Sequence, residues 1–362
     1  MRISLVMIAS GAGGVQQTIV PYCDALQRAG HQLQVVLYRH SPMVADIRAL
    51  GVEPQFVRFP CQSKLVTTLL SGMLRRTIER FAPDIVIGFA GRGYPEARRA
   101  LGRAVPIVTR VASLKDKALA KLAGADGYLV TTEFMKALLV RRGIDPRIVR
   151  VIPNFLRRPL SLVERQGFRA PPVIGTLGRV MPDKGFDILL EALALLKARH
   201  VDFRAVIGGD GEDMPALREQ ARRLGLAGLT EFSGWVGNDR KAQFLGGLDI
   251  FACPSRYEPF GIVMLEAMEA GLPLVASRTT GSEEIIEDGR TGIIVANEDP
   301  AGLAEALRNL IEDPQKARRL AAAATESLEK RFHVSSAGPL LGNHVAELHS
   351  HWTSSERAKR HE

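Results

Sequence analysis

The sequence has 362 residues, of which 46% are hydrophobic and 24% are charged, and this composition is typical of a folded globular protein. The length exceeds one ordinary hydrophobic core and predicts two domains. Three widely spaced cysteines, none in a C-x-x-C pair, argue against a disulfide framework or a zinc site: Cys23, Cys61 and Cys253. Glycines rather than a cleavage site follow the apolar start, and no apolar run has the length of a membrane span, so we expect a cytoplasmic protein.

Charge is distributed unevenly along the chain. Residues 1–165 carry a net charge of +14, whereas the remaining residues carry −5. A basic half favours an anionic partner, and the candidates are an anionic membrane surface, a phosphorylated acceptor or nucleic acid. A solvated surface rich in arginine is the simpler alternative.

The chain opens with an apolar run at residues 2–9, a glycine loop at 11–14, a helical segment at 15–29 and a second apolar run at 31–38. This order predicts a parallel βαβ unit. Two glycines fit a dinucleotide fingerprint, but Gln16 stands at the third position and no acid ends the second strand, so the sign of an NAD site is weak. A loop that approaches a phosphate or sugar closely, or a tight turn, fits equally well.

Strands and helices alternate through the rest of the chain. We expect a loop at residues 91–95, which contains Arg92, and a strand at 106–109, which ends at Arg110. Residues 157–172 are rich in charge and end in two prolines, as an interdomain linker does. The sequence therefore predicts an α/β protein with two doubly wound, Rossmann-like domains at 1–160 and 173–332, facing across a cleft. The tail, 333–362, is expected to be weakly helical to residue 350 and disordered beyond it, with a packing contact back on the first domain.

Two stretches of the second half carry candidate chemistry. Arg179 and Lys184 lie in a glycine-bounded loop after a predicted strand, where they would neutralise a diphosphate. Residues 254–267 are predicted as strand end, loop and helix start, with Glu258 and Glu266 eight positions apart. A helix N-terminus suits a phosphate, and carboxylates accept hydrogen bonds from hydroxyls. Together these features predict a nucleotide-sugar site, although each alone could be a solvated loop or a capping carboxylate.

In order and spacing, the motifs of residues 173–295 resemble the large retaining nucleotide-sugar glycosyltransferase family with a Glu-x7-Glu motif, which includes bacterial mannosyltransferases, lipopolysaccharide-core glucosyltransferases and sucrose synthases. The motifs that carry the resemblance are G-R-x4-K-G, G-D-G, F-S-G-W-V, P-S-x2-E-P-F-G-I-V-x-L-E-A, E-A-G-L-P-L-V-A and G-S-E-E-I-I. The likeness extends more loosely to Gly13-Gly14 and residues 151–154. It implies the GT-B fold and a metal-independent hexosyltransferase that needs no cofactor beyond a UDP- or GDP-linked sugar donor.

The resemblance also implies roles for matching residues. Glu258 would contact the donor sugar and form the catalytic set with Arg179 and Lys184, which bind the diphosphate. Glu266 would hold the ribose. The remaining donor contacts would be Gly13, Gly14, Val236, Phe260, Gly261 and Ile262.

The sequence departs from the family at Arg110, where many members carry a histidine. An arginine cannot accept a proton at neutral pH, which argues against the role of the family's sugar-contacting histidine at this position. We expect Arg110 and Arg92 on the acceptor side. The resemblance implies synthesis of bacterial lipopolysaccharide or polysaccharide, with a glycan or lipid-linked acceptor, peripheral binding at the inner face of the membrane and no nucleic-acid partner. The alternatives are a sugar-nucleotide epimerase on the same fold, a non-catalytic nucleotide-sugar-binding relative and a dinucleotide-binding oxidoreductase.

Overall fold

The computed structural model describes residues 1–9, 14–57, 64–113, 115–157 and 167–361, without the side chains of 14–15, 64–70, 90–91 and 359–361. The chain divides into two compact units. Unit 1 contains Met1–Arg157 and His333–Glu362, and unit 2 contains Arg158–Phe332. Most of the predicted linker, residues 158–166, lies outside the described part of the chain.

Unit 1 is built on a parallel sheet of seven described strands in the order β3-β2-β1-β4-β5-β6-β7. The strands are β1 (Arg2–Met7), β2 (Gln32–Tyr38), β3 (Gln55–Val57), β4 (Ile85–Phe89), β5 (Ile107–Arg110), β6 (Gly127–Val130) and β7 (Val149–Val151). The helices are α1 (Gly14–Gln17), α2 (Ile19–Arg28), α3 (Val44–Arg48), α4 (Lys64–Phe81), α5 (Ala90–Leu101), α6 (Asp116–Ala120), α7 (Glu133–Arg141) and, from the end of the chain, α15 (Val334–His361). A 3-10 turn at Pro146–Ile148 precedes β7.

Burial on both faces explains the continuous apolar strands of this sheet. Along β1, Leu5 and Met7 enter one hydrophobic cluster, whereas Val6 enters a second cluster on the opposite face. Each cluster is completed by helices, as in other parallel sheets, so neither face needs polar residues.

The segment predicted as a loop at residues 91–95 is instead the first turns of α5, which begins at Ala90 directly after β4. Glycines make this abrupt entry possible. A Cβ atom at Gly93 would lie 2.3 Å from the carbonyl oxygen of Val6, and one at Gly88 would lie 2.5 Å from the backbone nitrogen of Tyr94. These glycines serve helix–strand contact, and the turn propensity of Gly and Pro misled the prediction.

The C-terminal tail also differs from the prediction, because α15 runs without interruption to His361. Its glycines, Gly338 and Gly342, face Ala25 of α2 and Ala29, the residue that caps α2, with Cβ positions 3.2 Å from those methyl groups. The expected disorder beyond residue 350 was therefore wrong. Glycine and Pro339 lower intrinsic helix propensity, but packing on α2 stabilises the first turns of α15, and a helix that is already formed extends at a lower cost than a new one.

Unit 2 repeats the architecture with six described parallel strands in the order β10-β9-β8-β11-β12-β13. The strands are β8 (Val173–Leu177), β9 (Arg204–Gly208), β10 (Thr230–Gly234), β11 (Ile250–Cys253), β12 (Leu274–Ser277) and β13 (Ile293–Val295). The helices are α8 (Phe186–Ala198), α9 (Met214–Arg223), α10 (Asn238–Gly246), α11 (Ile262–Glu269), α12 (Thr280–Ile285), α13 (Pro300–Glu312) and α14 (Pro314–Arg331), with a 3-10 turn at Pro182–Lys184. In this order the connections after β8 and β11 leave in opposite directions, so their loops meet at the point where α/β sheets bind ligands.

Within the described residues, no helix combines the length and apolar composition that crossing a membrane requires.

Candidate functional site

The N-terminus of α11 is the centre of the candidate site in unit 2. The chain leaves β11 at Cys253, passes through a loop and enters the helix at Ile262. Gly261, with a φ of +94°, is the N-cap residue and provides no side-chain cap for the first amides of the helix. Only glycine adopts this backbone conformation without strain, so the loop exposes backbone donors and the positive end of the helix dipole.

The first carboxylate, Glu258, lies just before this helix and forms an ion pair with Lys184. The Lys184 Nζ and Glu258 Oε2 atoms are 2.5 Å apart, although the residues are 74 positions apart in sequence. Burial disfavours the Lys184 ammonium, but the Glu258 carboxylate outweighs it and raises the pKa of Lys184. The Lys184 side chain is therefore charged at neutral pH. Arg179 is exposed and close enough for its charge to lower that pKa in part.

The second carboxylate, Glu266, lies in the second turn of α11 and pairs with Lys241 of α10. The Lys241 Nζ and Glu266 Oε1 atoms are 2.6 Å apart, and the two side chains are 13% and 12% exposed. Burial raises the pKa of Glu266 above its ordinary value, and Lys241 opposes that shift. Sequence reasoning missed Lys241, because a lone lysine on a polar helix gives no sign of a partner 25 residues away.

Backbone contacts hold the loops of this site together. A Cβ atom at Gly185 would lie 2.1 Å from the Pro254 carbonyl oxygen, and one at Gly281 would lie 2.3 Å from that of Phe260. The amide of Gly281 also donates to the Glu258 carbonyl oxygen, at 2.9 Å. The loops that carry Lys184 and Glu258 are thus packed backbone against backbone, which leaves no space for side chains at these glycines.

Arg256 is a second residue that sequence reasoning missed. Its guanidinium binds Asp187 at 2.6 Å and 2.8 Å, Glu298 at 2.6 Å and the Pro182 carbonyl oxygen at 3.0 Å. Its backbone nitrogen donates to the Asp183 carbonyl oxygen at 2.9 Å. Arg256 therefore fastens the loop of Lys184 to the loop of Glu258, and its acidic partners raise its pKa further.

Two other residues predicted in unit 2, Phe260 and Val236, are buried. Phe260 is buried and packs edge-on against Phe332, with ring centroids 6.1 Å apart. Val236 follows β10 with its side chain buried, whereas the neighbouring Trp235 is 50% exposed. Buried Cys253 lies beside Ser255, and burial raises the pKa of its thiol to about 11, so it stays protonated at neutral pH.

The residues predicted in unit 1 do not assemble into a comparable group. Gly13 lies outside the described residues, and Gly14 is the first residue of α1. Arg92 is exposed near the start of α5, whereas Arg110 is buried at the end of β5 and donates to Asn154 Oδ1. Among the described residues, no group of three or more His, Cys, Asp or Glu is placed to hold a metal ion, and metal independence remains a prediction.

Two family models match this chain. Residues 163–327 match the model described as glycosyl transferases group 1, and residues 12–157 match glycosyltransferase family 4. Among solved structures, Anabaena Alr3699/HepE in complex with UDP and glucose superposes with a TM-score of 0.83 at 21% identity, covering 96% of this chain and 99% of that one. The lipopolysaccharide outer core galactosyltransferase WaaB gives 0.75 at 18%, covering 95% and 99%.

Curated relatives include two lipopolysaccharide core biosynthesis glycosyltransferases of Rhizobium meliloti. LpsE is 34% identical over 51% of this chain and 54% of its own length, and LpsD is 28% identical over 88% and 91%. The alpha-D-kanosaminyltransferase of Streptomyces kanamyceticus is 33% identical over 53% and 50%. For LpsE and the kanosaminyltransferase, the chain spans about half the length of the relative that it matches. The two Rossmann-like units and the likeness to these solved structures show the GT-B fold, and each half of the chain is similar to glycosyltransferases.

Proposed function

We propose that this chain is a retaining glycosyltransferase that transfers a hexose from a nucleoside-diphosphate sugar to an acceptor hydroxyl. The main support for this proposal is the presence of two lysine–glutamate ion pairs at α11. One lies just before the helix N-terminus, at 2.5 Å, and the other lies in its second turn, at 2.6 Å. Each pair leaves lone pairs and N–H donors available for a ligand, since one lysine proton binds one carboxylate oxygen.

In this proposal the donor lies along the start of α11. Lys184, Arg179 and the first amides of the helix bind the diphosphate, because a helix N-terminus and cations stabilise phosphate charge without a metal. Glu258 accepts hydrogen bonds from the sugar hydroxyls, and Glu266 accepts them from the ribose. The backbone at Val236 borders the nucleobase.

Transfer is proposed to proceed on one face of the sugar. The bond between the anomeric carbon and the phosphate oxygen breaks, and the acceptor oxygen forms the new bond on the same face. The acceptor proton goes to the leaving diphosphate oxygen. The contribution of Lys184 and Arg179 is to stabilise the charge that develops on the diphosphate, an effect that is largest in a preorganised site.

A thermal-shift panel of UDP, GDP, ADP and TDP tests the donor assignment, since a ligand that binds only the folded chain raises its melting temperature. We expect UDP or GDP to give the largest shift. The matching nucleotide-hexose is then incubated with glycan acceptors, and NMR of the product reads the anomeric configuration. An inverted product would contradict the retaining mechanism, and an altered free sugar formed without acceptor would identify an epimerase instead.

We further propose a role in bacterial cell-surface glycan synthesis, with a glycan or lipid-linked acceptor. The named functions of LpsE and LpsD support it, as does the net charge of +14 on residues 1–165. Basic residues bind anionic lipid surfaces through an attraction that salt screens. Co-sedimentation with vesicles of neutral lipid, with and without anionic lipid, tests the membrane part. Binding should require anionic lipid and weaken with salt, and its absence at low salt would refute peripheral binding.

A further inference from the structure

The side chain of Arg110 is buried, and no carboxylate among the described residues acts as its counter-ion. It lies at the end of β5, is 3% exposed and donates through Nη2 to Asn154 Oδ1. Its other nitrogens, Nε and Nη1, have no hydrogen-bond partner among the described residues. A guanidinium carries five N–H donors, so most of its hydrogen-bonding capacity is unused.

The surroundings of this guanidinium are aromatic and amide groups. Its Cζ atom lies 6.0 Å from the ring centroid of Tyr22, whose hydroxyl is also buried and unpartnered among the described residues. That ring stacks on Phe155 at 5.6 Å and meets Phe89 edge-on at 5.1 Å. Burial lowers the pKa of Arg110 and raises that of Tyr22, the interaction between the two groups opposes both shifts in part, and no carboxylate of the described residues contributes to either shift.

An uncompensated buried charge is unfavourable, and folded proteins rarely keep one for stability alone. The position of Arg110 indicates another reason. Phe89 and Arg110 end the parallel strands β4 and β5, and Asn154 follows the strand β7, so all three lie at the carboxyl edge of the sheet, where α/β proteins bind ligands. Groups that break the rules of a stable core are expected at functional sites.

We propose that Arg110, Asn154 and Tyr22 form a subsite in unit 1 for an anionic group, a carboxylate or a phosphate ester, carried by a sugar substrate. Arg110 supplies an N–H donor from Nε or Nη1, which lie on opposite sides of the guanidinium, the Tyr22 hydroxyl supplies a second donor, and Asn154 holds the guanidinium in place through Nη2. Because Nε and Nη1 have almost no exposed surface, binding requires a local movement that opens them. The inference deepens the proposed function, on which its assignment to a glycosyl substrate rests.

The first test is the stability of Arg110→Met in the absence of ligand. If the role of Arg110 is to bind an anion, the apolar methionine, which is of similar length, removes an unpaired charge from the folded chain. The melting temperature should then stay the same or rise by about 2 °C or more. If Arg110 is instead a structural link to Asn154, the melting temperature should fall, and a fall of several degrees would overturn the proposal. Arg110→Lys keeps the charge and should not be stabilised.

The second test measures the thermal shift caused by glucuronate, glucose 6-phosphate and glucose. Wild type should be stabilised by at least one anionic sugar and not by glucose, and Arg110→Met should lose that shift. A response to glucuronate alone assigns a carboxylate, and a response to glucose 6-phosphate alone assigns a phosphate ester. Arg142→Met, which removes an exposed partner of Asp116, is the matched control and should keep the wild-type response.

If no anionic sugar stabilises wild type, or if Arg110→Met keeps the full shift, the subsite is wrong. Donor binding is measured separately, with nucleotides and variants of unit 2. A chain that binds a nucleoside diphosphate but no anionic sugar would therefore refute this inference and leave the proposed function intact.

Discussion

The two units have the same architecture but differ in whether the buried charges of their candidate sites are paired. In unit 2, Lys184 and Lys241 each meet a glutamate within 2.6 Å. In unit 1, Arg110 is buried with two nitrogens unpartnered among the described residues. Paired charges hold each other in position before a ligand arrives, which favours preorganised binding of one defined ligand. An unpaired buried charge destabilises the folded chain until a counter-ion binds.

The largest effect is expected from breaking the first ion pair. Lys184→Ala and Glu258→Ala should each lower kcat/KM for donor turnover about 10²–10³-fold, because preorganised charge at the diphosphate and sugar is lost. Lys330→Ala is a matched control, since it breaks an exposed lysine–glutamate pair on α14 and should keep wild-type turnover. Unchanged turnover in both Lys184→Ala and Glu258→Ala would mean that the site is elsewhere.

Gly281→Ala should break the packing of the loops without changing any charge. Its Cβ atom would lie 2.3 Å from the Phe260 carbonyl oxygen, so the loop before α11 must move. We expect a loss of about 1–3 kcal/mol in the free energy of unfolding, measured by denaturant titration, together with weaker nucleotide binding. Gly228→Ala, with no neighbour within 4 Å of its Cβ position, should change neither quantity by much.

Lys241→Met should make nucleotide binding and stability sensitive to pH through Glu266, which loses its partner. Burial already raises the pKa of Glu266, and loss of Lys241 should raise it further. Nucleotide affinity should then increase as pH rises and the carboxylate ionises. The free energy of unfolding should fall over the same range, because a carboxyl with a raised pKa in the folded chain stabilises that chain only while protonated.

Among the described residues, Lys241 is the only charged group that acts on the pKa of Glu266. Arg331 and Glu284, on neighbouring helices, form an ion pair with each other at 3.9 Å. Calorimetric titration of UDP and GDP at several pH values, beside thermal melts in the same buffers, measures both slopes. If nucleotide affinity and the free energy of unfolding change in the same direction with pH, or if neither changes in the variant, the role given to Glu266 is contradicted.

The smallest effect is expected from Arg256, which touches no proposed substrate atom. Arg256→Gln should loosen the segment from Pro182 to Asp187, because Asp187 and Glu298 lose a charged partner. Hydrogen–deuterium exchange should accelerate there, with a several-fold rise in donor KM and little change in kcat. Arg256→Lys should recover part of the protection. If Arg256→Gln exchanges at the wild-type rate, Arg256 does not hold the two loops together.

The sequence was sufficient to predict the parallel sheets, because strands buried on both faces are nearly continuous in apolar residues. It also indicated the loops of Lys184 and Glu258, whose glycines reflect close backbone contacts. It could not reveal the partners of Lys241, Arg256 and Arg110, which lie 25 to 74 residues away in sequence. The continuous helix α15 was missed for the same reason, since the packing of Gly338 and Gly342 on α2 is a tertiary effect.

The start of α11, with Lys184 and Glu266, is proposed to bind a nucleoside diphosphate. Calorimetric titration of UDP and GDP into wild type, Lys184→Ala and Glu266→Ala tests it most directly, with UMP and GMP as companion ligands. We expect wild type to bind one of the two diphosphates. Lys184→Ala should weaken binding of the diphosphate more than binding of the monophosphate, and Glu266→Ala should weaken both by a similar factor. If wild type binds neither diphosphate, or if both variants bind as wild type does, the assignment of the site is contradicted.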